Sequence, residues 1–76
     1  MTLQKTFGAR IVRLREKHGM SQEALSNKTG IGVTHISKLE NGHKEPRLNN
    51  MARLGRAFGL NLSQLLQDVD GPWNFR

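Results

Sequence analysis

The sequence contains no cysteine, only two prolines and a single tryptophan among its 76 residues. The lack of cysteine excludes disulfide bonds, thiolate metal sites and a cysteine nucleophile. No apolar run approaches the roughly 18–20 residues of a membrane-spanning helix, and residues 1–7 lack the apolar core of a signal peptide. We therefore expect a cytoplasmic protein with no membrane partner. One core in so short a chain supplies only about 3–5 kcal/mol, which favours self-association.

Acidic residues are scarce as well. Twelve Lys and Arg residues stand against six Asp and Glu residues, so the formal net charge is +6. An excess of positive charge suggests a polyanionic partner, such as DNA, RNA or an anionic membrane surface. The excess is concentrated in residues 1–19, where five basic residues accompany one acidic residue. Charge alone does not choose among these partners.

The sequence also lacks the patterns that support catalysis or cofactor binding. His18, His35 and His43 do not form a ligand cluster with nearby carboxylates, as a metal site requires. Gly30 and Gly32 flank a single isoleucine and do not build a phosphate-binding loop. No pattern places a nucleophile beside a base. We expect a protein that is not an enzyme and binds neither a metal nor a cofactor.

The apolar spacing is helical almost throughout, and it predicts five short helices in an all-α domain. We expect the domain to span residues 1–69 and to be followed by a short tail, residues 70–76. The predicted helices run from between Leu3 and Phe7 to about His18, from Gln22 to about Lys28, from Val33 to Asn41, from Leu48 to Phe58, and from Leu62 towards Val69.

Several local signals mark the ends of these helices. Ser21 is a good N-cap for the second helix, and Met20 and Leu25 have the spacing of a hydrophobic staple across it. Asn61 and Gln64 have the spacing of a capping box for the fifth helix. Gly32 is a weaker N-cap for the third. These signals separate the helices by short connections, as a compact fold requires.

The second and third helices have the pattern of a helix-turn-helix unit. Leu25, Ile36 and Leu39 are placed to face inward, Ser26 is small where two helices would cross, and Gly30 allows a sharp turn. A near-perpendicular pair of helices needs this arrangement, and DNA-binding helix-turn-helix units use it.

These residues, with those that follow, resemble the phage-repressor and Cro (Xre-like) class of helix-turn-helix regulators. The resemblance rests on Ser21–Leu25, Gly30-Ile31, Ile36–Gly42, Pro46, Leu54, Ala57–Leu60 and Leu62–Leu66, and it covers roughly residues 7–66. It implies a compact five-helix, lambda-repressor-like domain that binds a palindromic double-stranded DNA operator as a homodimer, with the third helix in the major groove. Ser26 departs from the usual Ala, and Gly32 from the usual Ser or Thr.

The resemblance also assigns roles to individual residues. It places Val33, Thr34, Ser37 and Lys38 against base edges, and Gln22, Asn41, Lys44 and Arg47 against phosphates. We add Arg10 as a further charged phosphate contact. The alternative for these positions is a solvated polar surface or loop charge with no task. The resemblance further implies a structural ion pair between Arg15 and Glu40. The predicted dimer interface consists of Leu62, Leu66, Val69 and Trp73.

The sequence leaves several functions open within this class. A phage repressor, a restriction–modification controller and an antitoxin that represses its own operon all fit, and each would act on the nucleoid. A different class is a protein-interaction module, in which a tail carrying Trp73 and Phe75 binds a toxin. Alternatively, these two aromatic residues fold back on the core of their own domain or pack in the dimer.

Overall fold

A computed structural model describes residues 2–67 and 69, and within them the chain forms five helices and no strand. The predicted all-α, five-helix fold is confirmed. The helices are α1 (Leu3–Lys17), α2 (Gln22–Thr29), α3 (Val33–Glu40), α4 (Leu48–Phe58) and α5 (Leu62–Leu65). None of the helices in these residues has the length and hydropathy that crossing a bilayer requires.

The predicted helix starts are present. The Ser21 hydroxyl accepts a hydrogen bond from the Ala24 amide at 3.0 Å, so the first turn of α2 has a side-chain cap. Asn61 and Gln64 form a reciprocal capping box at the start of α5. Gly32 caps α3 without a side-chain hydrogen bond. The amide groups at the start of α3 are therefore left to solvent or a ligand.

A left-handed glycine forms the turn between α2 and α3. Gly30 has φ of +79° and donates its N–H to the carbonyl of Ser26 at 2.8 Å. The Thr29 hydroxyl donates to the carbonyl of Leu25 and accepts from the Ile31 amide, at 2.8 and 3.1 Å. A side chain at Gly30 would force a backbone conformation that L residues rarely adopt. The turn is thus fixed both by its glycine and by a hydroxyl that bonds on both sides of it.

One core joins all five helices. Its buried members come from every helix, from the turn between α2 and α3, and from the segment after α5. They are Phe7, Ile11, Leu14, Leu25, Ile31, Ile36, Leu39, Leu54, Ala57, Phe58, Leu65 and Val69. Gly8 lies where α1 crosses the end of α3. A Cβ atom there would lie 2.5 Å from the carbonyl oxygen of Glu40 and against that of Leu39. The absence of a side chain at Gly8 therefore lets α1 approach the carboxyl end of α3.

This approach brings together Arg15 of α1 and Glu40 of α3. Arg15 Nε lies 2.7 Å from Glu40 Oε2, and Arg15 Nη2 lies 3.2 Å from Glu40 Oε1. Their side chains are only 16% and 5% exposed. The hydrogen bond to Glu40 raises the pKa of Arg15 above its ordinary value. The predicted ion pair is therefore present as a bidentate contact that is largely shielded from water.

The end of the chain differs from the prediction. The helix α5 has only four residues, and beyond it the Gln67 and Val69 amides bond to the carbonyls of Gln64 and Leu66 in tighter i→i−3 turns. Leu48, which belongs to the apolar pattern that marks the fourth helix, is 67% exposed. It is the first residue of α4 and lies beside Ala52 and Leu62, outside the core.

Removing one partner of the ion pair should destabilise the fold. Glu40→Gln leaves the Arg15 guanidinium shielded without its counter-charge, and we expect a loss of about 1–3 kcal/mol in the free energy of unfolding. A double-mutant cycle with Arg15→Met should give a coupling energy of about 1 kcal/mol or more. Urea unfolding followed by circular dichroism measures both quantities. Glu45→Gln, at an exposed position in the loop after α3, is the control and should change stability by less than about 0.5 kcal/mol. A coupling near zero would contradict the proposed strength of the pair.

Candidate nucleic-acid interface

The helix α3 has one side in the core and the other on the surface. Ile36 and Leu39 are buried, whereas Thr34 and Lys38 are exposed. Thr34 and Lys38 are four residues apart, so they lie on one face of the helix. This geometry leaves a hydroxyl, a methyl group and an ammonium group free to meet a ligand.

The other two predicted base-reading residues lie next to this row. Val33 and Ser37 are half-buried, and each precedes one of the exposed pair in the sequence. All four residues are therefore on the first two turns of α3. Their contact with bases stays a prediction.

Positive charge surrounds the end of α3. Lys38, Lys44 and Arg47 are exposed. Among residues 2–67 and 69, the one ion pair within 4.0 Å is Arg15–Glu40. Within the same residues, none of these three cations therefore has a carboxylate within 4.0 Å. A surface of this kind attracts a polyanion over distances comparable to the Debye length. Their individual phosphate contacts also stay predictions.

Gln22 is held by the ion pair. Its Nε2 donates to Glu40 Oε1 at 2.8 Å, and Arg15 Nη1 donates to the carbonyl of Met20 at 3.0 Å just before α2. Glu40 thus joins α1, the start of α2 and the end of α3. One N–H of the Gln22 amide is occupied and the other remains available, beside the free backbone amides of the first turn of α2. The amide is therefore fixed in orientation, which the sequence did not indicate.

Asn41 lies at the end of α3 and is exposed. Its Nδ2 lies 3.5 Å from the Ser37 hydroxyl oxygen, a weak contact. Asn41 is the C-cap residue of α3, so its position depends on the backbone there. Its side chain remains available for a phosphate oxygen, and this contact stays a prediction.

Arg10 does not fit its predicted phosphate role. Its Nε and Nη2 donate to the carbonyls of Leu65 and Gln64, at 3.1 and 2.9 Å. These carbonyls are in the last turn of α5, where the regular helical hydrogen bonds end, and that of Gln64 also accepts from the Gln67 amide at 3.2 Å. Arg10 is therefore bound to α5. We correct its assignment: the side chain links α1 to the carboxyl end of α5.

The predicted dimer residues separate into different environments. Val69 is only 5% exposed and belongs to the core, so its assignment to the interface is corrected. Leu66 is half-buried against the core, and Leu62 is 43% exposed. Trp73 lies outside the described residues. The sequence did not indicate that Leu48 is exposed. Its spacing with Met51 is the same as that of a residue facing the core.

His35 of α3 contacts α4. Its Nε2 lies 3.4 Å from Nδ2 of Asn50, and both residues are half-buried. The contact places the imidazole at the side of α3 that meets Asn50 of α4. The sequence did not indicate Asn50 as its neighbour, because the pair is fifteen residues apart.

Comparisons with known proteins agree with this geometry. The helix-turn-helix family model matches residues 11–65. The control protein C.MunI of Mycoplasma sp is 32% identical over 65 residues, which cover 84% of this chain and 88% of the relative. The cryptic phage CTXphi transcriptional repressor RstR of Vibrio cholerae is 27% identical over 64 residues, covering 84% of this chain and 58% of the repressor.

A solved structure extends the likeness to the fold. The restriction-modification controller protein C.AhdI of Aeromonas hydrophila superposes with a TM-score of 0.78 at 29% identity, over 82% of this chain and 94% of the controller. Together with the family match over most of the chain, this bears out the resemblance seen in the sequence. The chain belongs to the helix-turn-helix family of DNA-binding transcriptional regulators, which are not enzymes.

Proposed function

We propose that this regulator acts as a homodimer, reads a palindromic operator with α3 in the major groove, and represses or controls transcription from it. One observation carries the proposal: Thr34 and Lys38 form an exposed row on α3, directly opposite the buried Ile36 and Leu39. The core therefore fixes the rotation of α3, and the same rotation presents polar groups to a ligand. Such a protein would act in the cytoplasm, on the nucleoid.

The residues of α3 match the chemistry of base edges. The Lys38 ammonium can donate to O6 and N7 of guanine, and the methyl groups of Val33 and Thr34 can contact the methyl group of thymine. Ser37 can donate to or accept from a base edge. These four contacts would supply the sequence preference, because each base pair presents a different pattern in the major groove.

Residues on both sides of α3 would position the domain on the DNA backbone. Gln22 would use the amide N–H that Glu40 leaves free, together with the free backbone amides at the start of α2. Asn41, Lys44 and Arg47 would bind phosphates on the other side. Arg10 is not included, because its guanidinium is bound to α5.

The second copy would bind through an apolar surface on α4 and α5. Leu48 and Leu62, exposed by 67% and 43%, line one shallow hollow with Met51, Ala52 and Leu60. We call this surface the α4–α5 face. Two large exposed leucines side by side favour a protein interface. One domain contacts about one half-site, whereas specific affinities reach about 10⁻⁸ M or tighter, so two linked half-sites suit the task better.

The alternative of a toxin-binding module has less support. The relatives described above include a control protein, a phage repressor and a restriction–modification controller. These names favour a phage repressor or a controller as the role of this chain over an antitoxin.

Removing the Lys38 ammonium should weaken sequence recognition. On the site selected from random duplex DNA, we expect Lys38→Ala to lose about 1–3 kcal/mol of binding free energy, or about 5- to 150-fold in affinity. Binding to random DNA should change much less, and Tm should hardly move because the residue is exposed. The control is Lys28→Ala, an exposed lysine on α2. Equal weakening on both DNAs would make Lys38 a backbone contact and would contradict its role in reading bases.

Removing the Lys44 ammonium should lower the salt dependence of binding. Each charged phosphate contact releases condensed counterions, so Lys44→Ala should reduce the slope of log K against log salt by roughly 1 per bound subunit. Affinity for selected and random DNA should fall together. Lys17→Ala removes the same charge from the last residue of α1, which is not among the proposed phosphate contacts, and is the control. If the slope does not change, Lys44 does not contact a phosphate.

A charge on the α4–α5 face should separate the dimer. Leu48→Glu and Leu62→Glu each place a carboxylate in the proposed interface, and desolvating it is unfavourable. Sedimentation at micromolar concentration should give twice the chain mass of 8.6 kDa for the wild type and the single mass for the variants. Ala9→Glu, on the exposed side of α1, should leave the dimer intact. A wild-type monomer with full operator affinity would exclude the dimer.

A further inference from the structure

An apolar pocket opens on a different part of the surface from the exposed row of α3. Its volume is about 200 Å³. The apolar wall consists of Leu3, Phe7, Pro46, Met51 and Leu66, and Gln4 and Glu45 supply polar groups. The wall therefore comes from the start of α1, the loop after α3, the first half of α4 and the residue after α5. Nothing in the DNA-binding function uses this pocket.

The chain carries a segment that suits such a pocket. Residues 70–76 contain Trp73 and Phe75, which are large and apolar in an otherwise polar stretch. Leu66 lines the pocket, and Val69 is buried in the core cluster against which Leu3, Met51 and Leu66 pack. Trp73 is four residues beyond Val69, and four residues can span up to about 14 Å. The indole is thus within reach of the pocket from a fixed point beside it.

We propose that this pocket binds the indole of Trp73 from the same chain. A cavity of about 150 Å³ holds a benzene ring, so a pocket of about 200 Å³ admits a larger aromatic ring. A buried indole N–H needs an acceptor, and the side-chain oxygens of Gln4 and Glu45 are candidates. Gly71-Pro72 is a turn-forming pair, which would let the chain turn back from Val69 towards the pocket.

The occupied pocket would also support the loop after α3. Pro46 and Glu45 line the pocket and lie between Lys44 and Arg47 in the sequence. An indole packed against Pro46 would restrict the motion of this loop and so hold the two cations in place. This second consequence rests on the proposed phosphate contacts, whereas the docking of the indole does not.

The sequence has one tryptophan, so intrinsic fluorescence reports on Trp73 alone. In the full chain without DNA, we expect blue-shifted emission and weak quenching by acrylamide compared with a free tryptophan derivative. Leu3→Asp puts a carboxylate in the pocket wall and should shift the emission to the red and increase quenching several-fold. Leu3 is the first residue of α1, where a carboxylate suits the helix dipole.

Leu48→Asp is the matched control. It makes the same change at the first residue of α4, on the α4–α5 face and outside the pocket. Because Leu48 belongs to the proposed dimer interface, Leu48→Asp should also separate the dimer, but docking of the indole within one chain predicts an unchanged emission. An emission that responds to Leu48→Asp and not to Leu3→Asp would place the indole on the α4–α5 face and overturn the proposal. Emission typical of a fully exposed tryptophan in the wild type would also overturn the proposal, because the pocket would then be free for another occupant.

A measurement on the wild type keeps the test independent of variant folding. Nuclear Overhauser effects are expected between the Trp73 indole and the methyl group of Met51 and ring of Pro46. A mixed sample of isotope-labelled and unlabelled chains separates contacts within a chain from contacts between chains. Intramolecular contacts support the proposal, and contacts only between chains or none overturn it. Neither readout needs DNA, so failure of the DNA-binding proposals would leave this result unaffected.

Discussion

The Glu40 carboxylate accepts hydrogen bonds from two helices other than its own, and the position of α3 depends on them. Arg15 of α1 supplies two of these bonds and Gln22 of α2 supplies the third. Removing these charged groups from water offsets much of the attraction between them, so the cluster contributes orientation more than net stability. The close approach at Gly8 makes the cluster possible, because it brings the backbone of α1 to the carboxyl end of α3.

The rotation of α3 follows from two constraints that act on opposite ends of it. At its start, the turn at Gly30 and the buried Ile31 set its direction. At its end, Glu40 is held by Arg15 and Gln22. Between them Ile36 enters the core, and the exposed row must then lie on the far side. A helix of only eight residues would not keep this orientation by itself.

Local features of this fold could be predicted from the sequence, whereas long-range contacts could not. Ser21 and Asn61 each accept a hydrogen bond from a backbone amide three residues further on, as their capping roles predict. Gly32 is the N-cap of α3 and makes no side-chain bond, which agrees with its prediction as a weaker cap. The ion pair came from resemblance to a family and not from spacing. Five helices and their order therefore required little more than periodicity and caps.

Three residues show why the remaining contacts could not be predicted from the sequence. Arg10 meets carbonyls 54 and 55 residues away, and no pattern in the sequence connects them. Leu48 and Val69 have the same apolar character but opposite burial, because one begins a helix at the edge of the core and the other follows a tight turn into it. Periodicity identifies apolar residues, but the packing of α5 decides which of them are covered.

The groups that fold α3 and the groups proposed to read DNA lie on opposite sides of the same helix. Ile36 and Leu39 belong to the core, while Thr34 and Lys38 are exposed and are not among its members. Substitutions at exposed positions away from caps and buried contacts usually change stability by less than about 0.5 kcal/mol. The exposed row can therefore be exchanged at little cost to folding. The same core would then support a different operator, provided that Gly8, Arg15 and Glu40 keep α3 in place.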